Sequence, residues 1–246
     1  MKIVHFSNLV PDKYGTYESL LAGLADECRR CGDSFVPVLG GEPLPVVAGR
    51  FRAAGIEWRV VPGWTDAGGG ERPWRFIFPA LAIIREIKPD VVVLNFGNEI
   101  PAFLAVLLSK IGVRRKIKWI WQQHQQVCDP NPVTSRFSRM RLLALVFDHF
   151  VTQYEGGKRS LVRRGIPAER VTSIVNGVPE ARRTRPPGWL RREQQLPDDT
   201  VVAVTVGSLI VRKRIDFQLQ ALSLILKKRF PVSSLLPHSS HHRRRS

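Results

Sequence analysis

Short runs of β-branched and aliphatic residues alternate with stretches in which apolar positions recur every three or four residues, from residue 2 to residue 175. The runs are Lys2 to Ser7, Ser34 to Leu39, Glu57 to Val61, Asp90 to Phe96, Ile117 to Gln122, His149 to Gln153 and Val171 to Val175. Between them, Leu20, Leu21, Leu24 and Cys28 share one helical face, as do Phe103, Leu104, Leu107, Leu108 and Ile111. A strand followed by a crossover helix, repeated, predicts an α/β domain with a doubly wound parallel sheet covered by helices.

Glycine and proline punctuate this pattern. Gly32, Gly112 and Gly165 follow helical runs where a helix-terminating glycine is expected, and Pro101 stands near a first turn. The least regular stretches are Gly40 to Pro45, Trp64 to Gly70 and Arg182 to Asp199, the last with three prolines. We therefore expect a first domain over 1–181 and a linker over 182–199. A strand Thr200 to Val206 and a helix from about Ile215 to Lys228 then open an incomplete second α/β domain over 200–230. The tail 231–246 holds three of the six histidines, reads as low complexity, and is expected to be an irregular, frameshifted or truncated end.

With 43% hydrophobic residues in 246, the chain can fill a substantial core. Its longest apolar stretches, such as Ile100 to Leu108, are too short to cross a bilayer, and Met1-Lys2 leads straight into a strand rather than a secretory leader. A cytoplasmic location is the expectation, with peripheral contact at the inner membrane face. The formal charge of +17, from 38 Lys and Arg against 21 Asp and Glu, predicts attraction to polyanions. Basic and aromatic residues at Trp74, Arg75, Phe76 and Phe78 are candidates for docking on anionic membrane, against the commoner reading of a core helix.

Three cysteines do not make a disulfide framework. Cys28-Arg29-Arg30-Cys31 falls at the C-terminal end of a helical run, where the dipole does not activate a thiol. A zinc site from Cys28, Cys31, His124 and Cys128 has the ligand count but not a recognised spacing, and no Asp-x-Asp sequence is present. No metal and no cofactor are expected.

The first turn, Ser7 to Glu18, has no G-x-G-x-x-G, which argues against a dinucleotide dehydrogenase. Gly15 stands before a helix, where it serves equally well as a turn glycine or as a point where backbone approaches a phosphate or sugar. Near the other end, Arg212 and Lys213 precede a helix, a place suited to an anion such as the diphosphate of a nucleotide-sugar.

Several segments together resemble family-four glycosyltransferases of the GT-B fold. Gly15-Thr16-Tyr17-Glu18 is similar to the family's Gly-Gly-x-Glu turn, with the second glycine missing. Lys88-Pro89-Asp90-Val91-Val92-Val93, Gly165-Ile166-Pro167-Ala168-Glu169-Arg170-Val171 and Val175-Asn176-Gly177-Val178 follow in the family's order. Val206-Gly207-Ser208-Leu209-Ile210-Val211-Arg212-Lys213 resembles its Val-Gly-Arg-Leu-x-x-x-Lys-Gly element, with Ser208 for the frequent arginine and Arg214 for the glycine. The resemblance covers roughly residues 1 to 228. It implies a Rossmann-like N-terminal domain on the acceptor side, followed by the start of a donor-binding domain.

The resemblance also implies a nucleotide-sugar-dependent transfer that retains anomeric configuration, in synthesis of a cell-surface glycan or glycolipid. By it, His124 is the candidate catalytic residue beside the transferred sugar. Arg212, Lys213 and Gly15 would hold the donor phosphates, and Glu18 and Asn176 would position substrate. The partners implied are a nucleotide-sugar donor and a sugar or lipid acceptor. The family's Glu-x7-Glu signature does not occur in the second domain, so little or no turnover is expected from this chain.

The alternative is a non-catalytic basic domain that binds sugar or nucleic acid. Nucleic acid is the lesser expectation, because the basic residues are scattered and no recognised binding motif accompanies them. One strand and one helix cannot cover both faces of a sheet. Limited proteolysis followed by mass measurement is therefore expected to leave a stable fragment ending in the linker; rapid loss of the N-terminal part instead would contradict the domain division.

Overall fold

The computed structural model describes residues 1–61, 74–95, 99–112, 116–123, 139–175, 177, 185–205, 213–227 and 232–234. The chain divides into two compact units, Met1–Pro179 and Glu180–Ser246. In the first, the elements run β1 (Lys2–Ser7), α1 (Thr16–Arg30), β2 (Ser34–Leu39), α2 (Pro45–Ala53), β3 (Arg59–Val60), α3 (Trp74–Ile87), β4 (Val91–Asn95) and α4 (Glu99–Gly112). They continue with β5 (Lys118–Gln123), α5 (Arg139–Val146), β6 (His149–Thr152), α6 (Glu155–Arg163) and β7 (Val171–Ser173).

The seven strands are all parallel, in the order β3-β2-β1-β4-β5-β6-β7. This is the Rossmann-like doubly wound sheet that the alternating pattern predicts. Crossovers between parallel strands are right-handed, so the segments running from β1 outward to β3 place α1 and α2 on one face. The return crossover from β3 to β4 and those running from β4 outward to β7 place α3, α4, α5 and α6 on the other.

Side-chain alternation divides the core accordingly. Val4, Phe6, Val92, Leu94, Trp119 and Phe150 point into the larger core, which also takes Ile84, Val106, Phe147 and Leu161 from the helices. There Phe147 meets Trp121 edge-on at 5.4 Å between ring centres. The smaller core joins Leu21 and Ala25 of α1 to Leu39 of β2 and to Val47 and Phe51 of α2.

Two family-like segments have structural work here, and Asp148 shares it. Lys88 turns into the left-handed region at φ 53 after α3, and Asp90 then accepts the Lys2 N–H at 2.7 Å, tying the start of β4 to β1. Asp148 repeats the device, accepting the Trp119 N–H at 2.8 Å between β6 and β5. Gly165, at φ 90, ends α6, and Arg170 donates to the carbonyls of Ala144 at 2.8 Å, Phe147, and Asp148 at 3.2 Å. That guanidinium closes the C-terminal end of α5, where carbonyls lack intrahelical partners.

The second unit has α7 (Trp189–Glu193), β8 (Val201–Ala203), α8 (Ile215–Lys227) and β9 (Val232–Ser234), with β8 and β9 paired in parallel. Among its described residues only Thr200 is buried. Val201, Val204, Phe217, Leu219 and Leu224 are all exposed.

Several elements differ from the sequence-based expectation. A helix begins at Pro45, inside what reads as loop, because Pro45 fits a first helical turn and Val47, Ala48 and Phe51 fall on one buried side. The linker contains α7, and the tail supplies β9, whose backbone gives β8 a ladder partner. Gly112 is the last residue of α4 rather than the residue after it. Phe76 is buried edge-on against Phe6 at 5.9 Å, so it belongs to the core.

Replacing Arg170 by methionine keeps the stem and strands three carbonyls. Charge-assisted bonds of this kind put the expected loss at about 2 kcal/mol in urea unfolding, with Arg170→Lys recovering less than half because an ammonium cannot span the three acceptors.

Candidate functional site

Between β1 and β4 the crossover direction reverses, and in open α/β sheets the carboxyl ends of strands at such a point form a crevice. The last residues of these strands are Ser7 and Asn95, direct partners in the ladder and both fully buried. Each ends an otherwise apolar strand with a polar side chain. The Asn95 amide, wholly enclosed, forms no well-aligned hydrogen bond. Asn8, next along the chain, is buried as well.

The loop from Asn8 leads to Gly15, the N-cap of α1, in extended conformation at φ −125. Glu18, buried in the first turn, turns its carboxylate back to accept the Gly15 N–H at 2.8 Å. This is one half of a capping box, since glycine has no side chain with which to return the bond. A Cβ at Gly15 would stand 3.3 Å from Glu18 Oε2 and crowd that contact. The first-turn N–H groups and the helix dipole make this end of α1 suited to an anion.

Tyr17 links the helix to the strand ends. Burial raises its phenol well above the ordinary range; the Glu18 charge adds to the rise, while hydrogen bonding to Ser7 and Asn95 opposes it. Its hydroxyl also lies 3.4 Å from His5 Nδ1, and His5 Nε2 lies 3.2 Å from Gln122 Oε1. In a neutral imidazole this pairing puts the proton on Nε2, donating to Gln122, and leaves Nδ1 to accept from Tyr17. The network thus ties β1, α1 and β5 together.

Beneath it, on the α1 side of the sheet, lies a cavity of about 400 Å³. Its lining is aliphatic, with Val91, Val93, Ile120 and Val151 from the strands and Leu20 and Leu24 from α1, and His5 and Gln122 are its polar end.

Of the sequence-predicted site residues, Gly15 and Glu18 meet at this rim. His124, Asn176 and Arg212 lie outside the described residues. Lys213 belongs to the second unit, where it is exposed and its carbonyl accepts from Gln218 Nε2 at 3.2 Å. Arg214, in place of the family's glycine, takes a left-handed φ of 48, with its guanidinium 3.6 Å from the centre of the Phe217 ring and 3.4 Å from the Asp216 carboxylate. Cys28 and Cys31 are free thiols, and burial with the neighbouring Asp33 raises Cys28 above the usual thiol range, the opposite of an activated nucleophile. Among the described residues no three His, Cys, Asp or Glu side chains gather as a metal site.

Sequence reasoning missed Ser7, Tyr17 and Asn95. The available signal was a polar residue closing an apolar strand, at Ser7 and again at Asn95.

A raised phenol favours the protonated folded state, so its contribution is present below the ordinary tyrosine range and is lost as pH rises through it. Unfolding free energy is therefore expected to fall above about pH 10. Tyr17→Phe should flatten that fall while costing about 1 kcal/mol at neutral pH through the lost hydrogen bonds. Denaturant titrations across the alkaline range check this, and identical slopes in the two proteins would contradict it.

The model of Glycosyltransferase Family 4 matches residues 21–182, about two-thirds of the chain. No curated protein matches the sequence. Among solved structures, HepE of Anabaena in complex with UDP and glucose has a TM-score of 0.59 at 14% identity, over 96% of this chain and 69% of that one. A glycosyltransferase from Rickettsia africae has a TM-score of 0.61 at 12% identity, over 97% and 68%. A UDP-N-acetylglucosamine 2-epimerase has a TM-score of 0.55 at 12% identity, over 96% and 63%. At such identities these likenesses establish the fold, which hosts more than one chemistry. The family model and the doubly wound sheet together show that the chain belongs to glycosyltransferase family 4 and has the GT-B type of fold.

Proposed function

We propose that this protein serves in glycosyl transfer from a nucleotide-sugar, with retention of anomeric configuration, in the cytoplasmic synthesis of a cell-surface glycan or glycolipid. The observation that carries the reading is the enclosed polar rim at the β1–β4 switch, where Ser7, Asn95, Tyr17 and Glu18 surround the N-terminus of α1. Such a rim fixes the start of α1, where Thr16 is exposed, and so offers a helix end to a charged ligand.

In this reading the leaving group is a nucleoside diphosphate, and the electrostatic task is to stabilise charge growing on its bridging oxygen. Arg212 and Lys213 supply cations for that oxygen, and the Gly15 backbone approaches the diphosphate. Glu18 acts as a positioning residue, because its carboxylate holds the Gly15 N–H and so sets the start of α1. His124 is the proposed group beside the transferred sugar, and Asn176 a second positioning residue. The two cations take the role a metal would otherwise fill, so the proposal includes no metal or other cofactor.

HepE has been solved with UDP-glucose, which makes a UDP-sugar the first donor to try. Donor binding by this chain is proposed to be weak and turnover slight, since Lys213 and the apolar residues of the second unit are exposed rather than enclosed.

Calorimetric titration with UDP and a panel of nucleotide-sugars tests the reading. Binding is expected, with Lys213→Ala weakening it about tenfold, the size of one charge-assisted contact. If no nucleotide-sugar binds, or Lys213→Ala binds as tightly as the parent, the assignment is wrong. Rapid turnover would support transfer but contradict the proposed impairment.

A further inference from the structure

The outward side of α4 and α5 is apolar, and the core does not account for it. On α4, Ala102, Ala105, Val106 and Ser109 turn inward. Half a turn round the helix, Leu107, Leu108 and Ile111 face out, with Ile111 76% exposed. The neighbouring α5 repeats the arrangement: Leu143 and Val146 are buried, while Leu142 and Leu145 are exposed, the latter at 75%. Single exposed aliphatics are ordinary on a protein surface, whereas five on two adjacent helices form a patch that needs an occupant.

The charge along these two helices is mainly positive. From residue 99 to residue 148 the sequence has eight Lys and Arg against three acidic residues, Glu99, Asp129 and Asp148. Lys110, Lys116 and Lys118 are exposed at and just beyond the C-terminal end of α4, and Arg114 and Arg115 lie between them in sequence. Arg136, Arg139 and Arg141 fall just before and within α5.

A protein partner fits this composition poorly, because protein interfaces favour aromatic anchors and disfavour lysine. Aliphatic side chains flanked by cations suit a lipid surface, where the apolar groups enter the acyl boundary and the cations meet phosphates. Among the described residues no helix is long and apolar enough to cross a membrane, so the contact lies in the interface plane.

We infer that the outer faces of α4 and α5 are a docking surface for an anionic bilayer. This moves membrane contact away from the stretch 74–78. There Phe76 is core and the side chains of Trp74 and Arg75 lie outside the described residues; only Phe78 is exposed, on the adjoining α3. The inference stands apart from the sugar-transfer reading, because lipid binding is measured without donor or acceptor.

The test is flotation of the full chain with vesicles of phosphatidylcholine alone and with about 30% phosphatidylglycerol added. The chain should float with the anionic vesicles only. A variant carrying Ile111→Glu and Leu145→Glu should lose at least about tenfold in partitioning while keeping its thermal melt. Should that variant unfold, the milder pair Leu108→Gln and Leu142→Gln is expected to show a smaller loss of the same sign. Three results overturn the inference: no binding to anionic vesicles, equal binding by parent and folded variant, or a solution dimer that the same substitutions dissociate. Abolition of parent binding at about 0.5 M salt, with the variant unaffected at low salt, would reduce the contact to charge alone and also refute it.

Discussion

Backbone hydrogen bonds join β1 to β4, and from the carboxyl ends of these two strands the chain departs in opposite directions. Such a reversal is where open α/β sheets form a crevice, and here the side chains at the two strand ends are enclosed by neighbours. Enclosed polar groups are costly unless they are paired. That constraint explains why His5 lies between Tyr17 and Gln122, and why the Glu18 carboxylate turns back on Gly15. The start of α1 is thereby held against β1 and, through His5, β5. A displaced α1 would leave those groups unpaired, so the same network that shapes the rim also fixes the smaller core beneath it.

Two of the segments that resemble the family in sequence hold the scaffold. Asp90 ties β4 to the start of β1 and Arg170 closes the carbonyl end of α5, while Asp148, outside those segments, repeats the tie between β6 and β5. Each satisfies backbone groups that the sheet or helix would otherwise leave unpaired. The polar rim, by contrast, is made of single residues at strand ends, without a contiguous motif.

The second unit shows what a substitution in a motif demands of the backbone. A glycine after Lys213 would enter the left-handed region freely, but Arg214 occupies φ 48 and is held by Asp216 and the Phe217 ring. The cation gained at 214 is engaged with its own helix, and Lys213 beside it is exposed.

Sequence alone determined the alternation of strand and helix, the parallel sheet, and the strand limits of the first unit to within about two residues, because burial on both faces requires continuous aliphatic runs and crossovers require helical periodicity. It did not reveal α2, whose nine residues lie among proline and glycine, nor the fate of Phe76 and Phe78 in an apolar helix that looks alike on either side. Periodicity reports how much burial a segment needs and not which neighbour provides it. Tertiary structure therefore decided that Phe76 is core and Phe78 surface, that α4 and α5 present leucines outward, and that Ser7 meets Asn95. Strands far apart in the chain become adjacent only through the sheet's order, and the candidate site exists only where they meet.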